Sequence, residues 1–292
     1  LHRLIRRQRQ MCIRDRDDIV KYVCRIFRKK DELLITGDKH RKEIEDGTVY
    51  VCVHEWGGYP IIRRKTLKEG ITFICGLKAQ LMRYEQERKN RLVELTVTMS
   101  DSNKCKDLDY IKKHSDNLIE VSNVGMDFSG YASFHKRIRG NLNSYVILSN
   151  SSVEISQDNF LDGYIKYMEN NPDVGILGIS YSTKMYQTLI RRNFTPHIQS
   201  FFLFTTIDVL NEIVENNQGH FPGENISNKR LLIRKGEIGL STLALKLGYN
   251  LAVVFPTTGK PFKFVNQSQW DKPLGDIRLK IDCPNRINPI KE

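Results

Sequence analysis

Short apolar runs alternate with amphipathic stretches along most of this chain. Residues 48–54 (TVYVCVH) are rich in β-branched side chains and predict a buried strand. Residues 93–99 (VELTVTM), 118–121, 145–148, 174–179, 201–205 and 251–254 predict further strands, each brief, apolar and bounded by turn residues. Uninterrupted apolar runs suit strands covered on both faces, as in a mostly parallel sheet. Helical patterns lie between them. Residues 77–91 end in the charge-rich KAQLMRYEQERKNR, and 108–113 predict a short helix. Phe160, Leu161, Tyr164, Ile165 and Met168 form one apolar stripe, which Pro172 ends. Thr206 is placed to cap a helix carrying Val209, Leu210, Ile213 and Val214. Residues 238–247 predict a helix stopped by Gly248. A first helix is predicted over 17–30, with Ile19, Val20, Val23, Ile26 and Phe27 on one face. Strands alternating with helices predict one α/β domain with a central, mostly parallel sheet and crossover helices.

Composition narrows this picture. The chain has 292 residues, 40% hydrophobic and 27% charged, which suits an ordinary globular domain. No apolar run approaches the ~20 residues of a membrane helix, and no signal-peptide pattern is read at the start. The six cysteines are scattered, with no Cys-x-x-Cys pair, and predict reduced thiols in a cytoplasmic protein rather than a disulfide frame or zinc site. The formal net charge is +12. Residues 1–16 (LHRLIRRQRQMCIRDR) hold six arginines and one aspartate and have no helical or strand period. They are expected to be a non-native or disordered tract and are set aside; a native basic arm is the alternative. The basic excess that remains favours anionic partners: a nucleotide diphosphate, a lipid-linked phosphate or an anionic membrane surface.

The most informative stretch is 117–154. It predicts strand, glycine-rich polar turn (122–130), helix, strand, and a second polar turn at Ser149-Asn150-Ser151-Ser152. Ligands of open α/β sheets bind at the carboxyl ends of the strands, so two polar clusters at two strand ends predict one small-molecule site. Gly125 lets the backbone approach a ligand closely. Asp127 is suited to hold ribose or sugar hydroxyls, or to make an Asx turn.

The order Asn123-x-Gly125-x-Asp127-Phe128-x-x-Tyr131, followed by a strand ending in Asn150-x-Ser152, resembles the donor half of GT-A nucleotide-sugar glycosyltransferases. The resemblance is to the family 2-like and rhamnan-synthesis protein F-like members of bacterial polysaccharide synthesis. Residues 197–203 (HIQSFFL) and 236–241 (GEIGLS) are similar to later segments of that family. The resemblance implies a GT-A-type, Rossmann-like α/β domain over 17–256, with a donor half at about 48–155 and an acceptor half at about 156–256. Residues 257–292 would be an extended tail folded over the site. It implies an inverting transfer from a nucleotide-sugar donor to a glycan or lipid-linked glycan, at the cytoplasmic face of a membrane and with no nucleic acid as partner. Glu237 would be the catalytic base; Asp101, Asn123, Gly125, Asp127, Asn150 and Ser152 would bind the donor. His197, Arg63 and Arg64 would meet the acceptor or phosphate. Members of the family hold Mg²⁺ or Mn²⁺ on an acidic motif at the position of Asn150–Ser152, where this chain has no carboxylate until Glu154. Amides and hydroxyls are weak sole ligands for a hard cation. Without a metal, Arg63, Arg64, Lys65, Arg137 and Arg139 are candidates to neutralise the diphosphate, or they form a solvated basic face. Three alternatives remain at this stage: a non-catalytic member of the fold, a sugar nucleotidyltransferase without the expected Gly-x-Gly-x-x-Arg loop, and a basic nucleic-acid binder.

Overall fold

The computed structural model describes residues 37–44, 47–66, 70, 72–154, 159–182, 197–255, 258–264 and 285–291. The tract 1–16 and the helix predicted over 17–30 lie outside them. Strand β1 (Val49–Trp56) is central. A hairpin of two four-residue strands follows, β2 (Arg63–Thr66) and β3 (Thr72–Cys75). Helix α1 (Leu77–Glu87) leads to β4 (Val93–Ser100), and α2 (Leu108–His114) to β5 (Asn117–Val121). Helix α3 (Asp127–Ile138) leads to β6 (Tyr145–Asn150), and α4 (Leu161–Asn170) to β7 (Val174–Gly178). Two-residue strands β8 (Tyr181–Ser182) and β9 (His197–Ile198) pair beside β10 (Phe202–Thr206) and α5 (Ile207–Asn216). Helices α6 (Lys229–Leu232) and α7 (Ile238–Lys246) precede β11 (Asn250–Val254) and β12 (Pro261–Phe264).

The main sheet has eight strands in the order β12-β11-β7-β10-β6-β1-β4-β5. β5, β4, β1 and β6 run parallel, as do β7 and β11; β10 runs against both its neighbours, and β12 closes the edge antiparallel to β11. This is the predicted α/β domain with a mostly parallel sheet flanked by helices. Alternation along β1 sends Val51 and Val53 to one face and Cys52 to the other, and all three are buried. On the first face they meet Leu81 and Tyr84 of α1 and Tyr164 and Met168 of α4. On the second face Tyr131 and Phe134 of α3, Leu210 and Ile213 of α5, and Leu240 of α7 pack together. Coverage on both faces is why these strands read as unbroken apolar runs.

Three features differ from the sequence-based expectations. The β2–β3 hairpin was not anticipated, because RRKT lacks an apolar run. Helix α3 begins at Asp127, so Gly130 lies inside a helix and not in the turn. The helix predicted over 238–247 forms as α7, continuous with the turns before it. α6, a π-helical turn over Ile233–Glu237, and α7 follow one another without a break. The expected tail also carries the edge strand β12, and residues 285–291 dock on the domain: Ile287 enters the core and Arg286 makes two hydrogen bonds to the Glu154 carboxylate.

Gly130 explains how α3 sits. A Cβ there would fall 2.4 Å from both His54 Nδ1 and Thr98 Oγ1. Replacing glycine by alanine in a helix normally gains up to about 1 kcal/mol, but overpacking costs about 1–3 kcal/mol. The steric term wins, so Gly130→Ala should lower the Tm by several degrees. Gly140→Ala, whose Cβ meets nothing within 4 Å, should not. Equal melting curves for the two variants would contradict the close approach of α3.

Candidate functional site

The carboxyl ends of β1, β4 and β6 come together beside the start of α3. Asp127 stands in the first turn of α3, where the helix dipole favours a carboxylate. Its Oδ2 accepts a hydrogen bond from Asn150 Nδ2 at 2.7 Å, across 23 residues of chain. Its Oδ1 lies 4.0 Å from His54 Nε2 at the end of β1. His54 is buried and its Nδ1 pairs with Thr98 Oγ1 at 3.1 Å. Burial holds the imidazole below its ordinary value against the pull of Asp127, so it is neutral at pH 7. The residue before the helix, Met126, has φ of 48°, and Gly125 N donates to Ser129 Oγ at 2.8 Å. Those two features turn the chain sharply from the 3-10 turn at Asn123–Gly125 into α3.

Asn150 is the hub of the second polar cluster. Its Oδ1 accepts from Ser152 N at 2.9 Å, and its backbone N donates to Phe201 O at 3.1 Å. The neighbouring Ser200 is held by a third cluster. Glu237 Oε2 accepts from Ser200 Oγ at 2.9 Å and Ser200 N at 3.2 Å, while Glu237 Oε1 lies 3.2 Å from His197 Nε2. Tyr131 Oη, from α3, donates to Ser200 O at 2.9 Å. Burial pushes the Glu237 carboxyl up, but its contacts with His197 and Ser200 outweigh this and hold it below the usual range. Its ionised state therefore comes from these partners and not from a helix N-terminus, since Glu237 sits in the π-helical turn within a longer helical run. Such turns recur at functional sites.

The hairpin forms the third wall. Gly76 N donates to Ser151 O at 2.9 Å. Arg63 donates to Glu55 Oε2 and to Ser151 Oγ, each at 2.7 Å, and its guanidinium lies over the Tyr59 ring at 4.3 Å. Burial raises the Glu55 pKa despite Arg63. Trp56 and the half-exposed Tyr59 meet edge to face at 4.8 Å.

The sequence-nominated residues divide accordingly. Asp127, Asn150, Ser152 and Arg63 meet at the cleft, with Gly125 shaping its edge, and Glu237 and His197 join through Ser200. Asn123 is exposed and accepts from Ser100 Oγ at 3.4 Å. Asp101 has φ of 52° and accepts from Trp56 Nε1 at 2.7 Å and Lys104 Nζ at 2.9 Å, contacts that lower its pKa in that order. His197 is 2% exposed and faces Glu237. Arg64 is exposed, because alternation along β2 turns it away from Arg63 and Lys65. Arg137 and Arg139 lie at the far end of α3, where Arg137 donates to Asn117. They are about 15 Å from Asp127 by helical rise, and the expectation that they face the same ligand is corrected. His54, Thr98, Ser200 and the Trp56–Tyr59 pair were not singled out. The Trp56-Gly57-Gly58-Tyr59 run at a strand end was their one visible signal.

The residues do not fit the divalent metal of the resembling family. Among the described residues no three His, Cys, Asp or Glu side chains converge, and both Asp127 oxygens already face protein groups.

No protein-family model matches the chain, and no curated protein matches it. The structure is similar to 4-diphosphocytidyl-2C-methyl-D-erythritol synthase from Anaerococcus prevotii DSM 20548, with TM-score 0.42 and 11% identity over 77% of this chain and 96% of that one. It is also similar to CMP:2-keto-3-deoxy-manno-octonic acid synthetase complexed with CTP, with TM-score 0.40 and 11% identity over 72% of this chain and 89% of that one. Likenesses at these scores carry no argument about activity. No described helix is long and apolar enough to cross a membrane.

The Glu237 cluster has a pH signature. Its folded-state pKa lies below the ordinary glutamate value of 4.5, so the folded chain binds this proton less readily than the unfolded chain. The resulting stabilisation is complete above about pH 4.5 and is lost as pH falls through the folded value. Glu237→Gln should therefore lower the Tm at pH 7, and its gap from the parent should narrow as the pH falls below about 4.5. A gap that stays constant as the pH falls below that value would remove the ionised Glu237 from the network.

Proposed function

We propose that this chain is a nucleotide-sugar-dependent glycosyltransferase. One observation carries the proposal: the Asp127–Asn150 hydrogen bond joins two polar strand-end clusters, and Ser200 ties them to the ionised Glu237. Asp127 and Asn150 would hold ribose or sugar hydroxyls. Trp56 and Tyr59 would give the base an aromatic edge, which is tolerant of base identity. Glu237 would accept the proton of the acceptor hydroxyl as its oxygen bonds to the sugar carbon. The bond from that carbon to the diphosphate breaks, and its electron pair leaves with the phosphate oxygen. The acceptor class is a glycan or lipid-linked glycan, and the basic surface would favour a peripheral contact with anionic lipid. No step is routed through a metal.

A non-catalytic, nucleotide-sugar-binding role is the second reading. It is favoured by Asn150, whose amide fills the position where the family carries a carboxylate.

Calorimetry with a panel of nucleotide sugars tests the binding half. We expect one donor class to bind, and Asp127→Ala to weaken it about tenfold or more, roughly 1.4 kcal/mol. Binding unchanged in a variant that still melts cooperatively would place the donor elsewhere, and a panel without any binder would overturn the proposal. With donor and acceptor in hand, Glu237→Gln should slow transfer about a hundredfold or more while donor affinity holds. Transfer at the parent rate would move the base to another residue. Donor binding by the parent chain with no transfer to any acceptor would select the non-catalytic reading.

A further inference from the structure

Three cationic residues follow one another in β2, and they have different fates. Arg63 is neutralised: one arm meets the buried Glu55 carboxylate and the other Ser151 Oγ. Arg64 points to solvent. Lys65 returns to the face of Arg63, about 7 Å further along the strand. It is half-buried, and it makes no hydrogen bond or ion pair among the described residues. Its electrostatic neighbours are Cys75, Arg63, Asp127 and Lys229, so it faces two cations besides one carboxylate. Withdrawing an ammonium from water without a dedicated counter-ion is unfavourable. Burial lowers the Lys65 pKa accordingly. The hairpin nevertheless anchors it there, through Gly76 to Ser151 and the Cys75–Glu154 bridge. These are the same turn residues that follow Asn150.

The opposite wall lacks what a diphosphate would ordinarily need. Asp127 and Asn150 are bonded to each other, and no set of three metal-ligating side chains converges among the described residues. Any diphosphate here must meet protein cations, and Lys65 is a half-buried cation with no hydrogen bond or ion pair among the described residues.

We propose that the inner face of the β2–β3 hairpin, Lys65 with Arg63 behind it and Lys229 nearby, is a diphosphate-binding site that works without a divalent cation. The identity of the diphosphate rests on the glycosyltransferase reading. In that reaction the electron pair of the broken sugar–oxygen bond stays on the diphosphate, beside Lys65. The proton released by the acceptor goes to Glu237, so charge and atoms balance without a metal. Arg63 fixes the hairpin, and Lys65 supplies a point charge that tolerates more than one phosphate geometry.

Calorimetry with inorganic pyrophosphate in EDTA tests the site. The parent should bind. Lys65→Met should weaken binding about tenfold or more with its Tm unchanged or raised, and Lys65→Arg should restore most of the affinity. Lys89→Met removes the same charge from an exposed position at the far end of α1 and should change nothing. No binding in EDTA, or equal losses for Lys65→Met and Lys89→Met, overturns the proposal. So does a nucleotide sugar that binds only when Mn²⁺ is present, and that result leaves the glycosyltransferase reading intact. Pyrophosphate held by Lys65 in EDTA, with no nucleotide sugar bound in either condition, sinks the glycosyltransferase reading and keeps the anion site.

Discussion

Helix α3 can lie this close to the sheet only because residue 130 has no side chain. At Gly130 the helix backbone approaches His54 on β1 and Thr98 on β4, whose side chains pair with each other beneath it. That contact fixes the height and rotation of the helix, and three other placements follow. Asp127, one turn earlier, is brought to Asn150 at the end of β6. Phe128 is wedged against Gly236, where a Cβ would meet its ring at 2.9 Å. Tyr131, one residue on, reaches Ser200 and so the Glu237 cluster. Helix α3 thus contacts both the proposed donor groups and, through Ser200, the element that carries the proposed base. Asn150 belongs to β6 and Glu237 to the π-helical turn, so these contacts with α3 hold three elements in register, the preorganisation a transfer site needs.

Most of the sheet was legible in the sequence, because burial on both faces writes an unbroken apolar run. The segments at 48–54, 93–99, 145–148 and 174–179 all became strands within two residues of their expected ends. Strand direction is not written in such runs, and the reversal of β10 could not be read from FLFTT. The hairpin was hidden for the opposite reason. RRKT buries alternate cations instead of apolar groups, so hydropathy sees only charge, yet period-2 geometry alone separates Arg63 and Lys65 from Arg64. The start of α3 was misplaced because glycine normally argues against a helix interior. Here the steric demand of His54 and Thr98 overrides propensity. Arg137 and Arg139 looked close to Asp127 because sequence distance was read as spatial distance; ten or twelve residues of helix carry them to the other edge.

The electrostatics of the cleft depend on which charges cancel locally. Glu55 and Arg63 are both withdrawn from water and matched, so together they contribute shape and rigidity but little net field. His54 is neutral and adds a dipole to the environment of Asp127 without cancelling its charge. Asp101, which looked like a free carboxylate at a strand end, is occupied by Trp56 and Lys104 and orders the aromatic rim. What remains uncompensated is Asp127 on one side and Lys65 with Lys229 on the other. A ligand carrying hydroxyls at one end and a diphosphate at the other matches that separation of charge better than a metal ion, which would face the cationic wall directly.

The state of Glu237 bears on how a transfer could proceed. Its partners hold its pKa below the usual carboxylate range, so it is ionised near neutral pH. The same stabilisation makes it a weaker base, and a weak base draws little on an unperturbed alcohol proton. The hydroxyl becomes acidic only as its oxygen donates electrons to the sugar carbon. Proton transfer to a base of this kind is therefore late, following substantial loss of the bond to the diphosphate. A late proton transfer places the early demand on the leaving group, whose charge develops first. On the proposed reading, Lys65 then meets the first charge to appear and Glu237 the last. The two requirements fall on different elements, one served by a half-buried cation of β2 and the other by a hydrogen-bonded carboxylate of the π-helical turn.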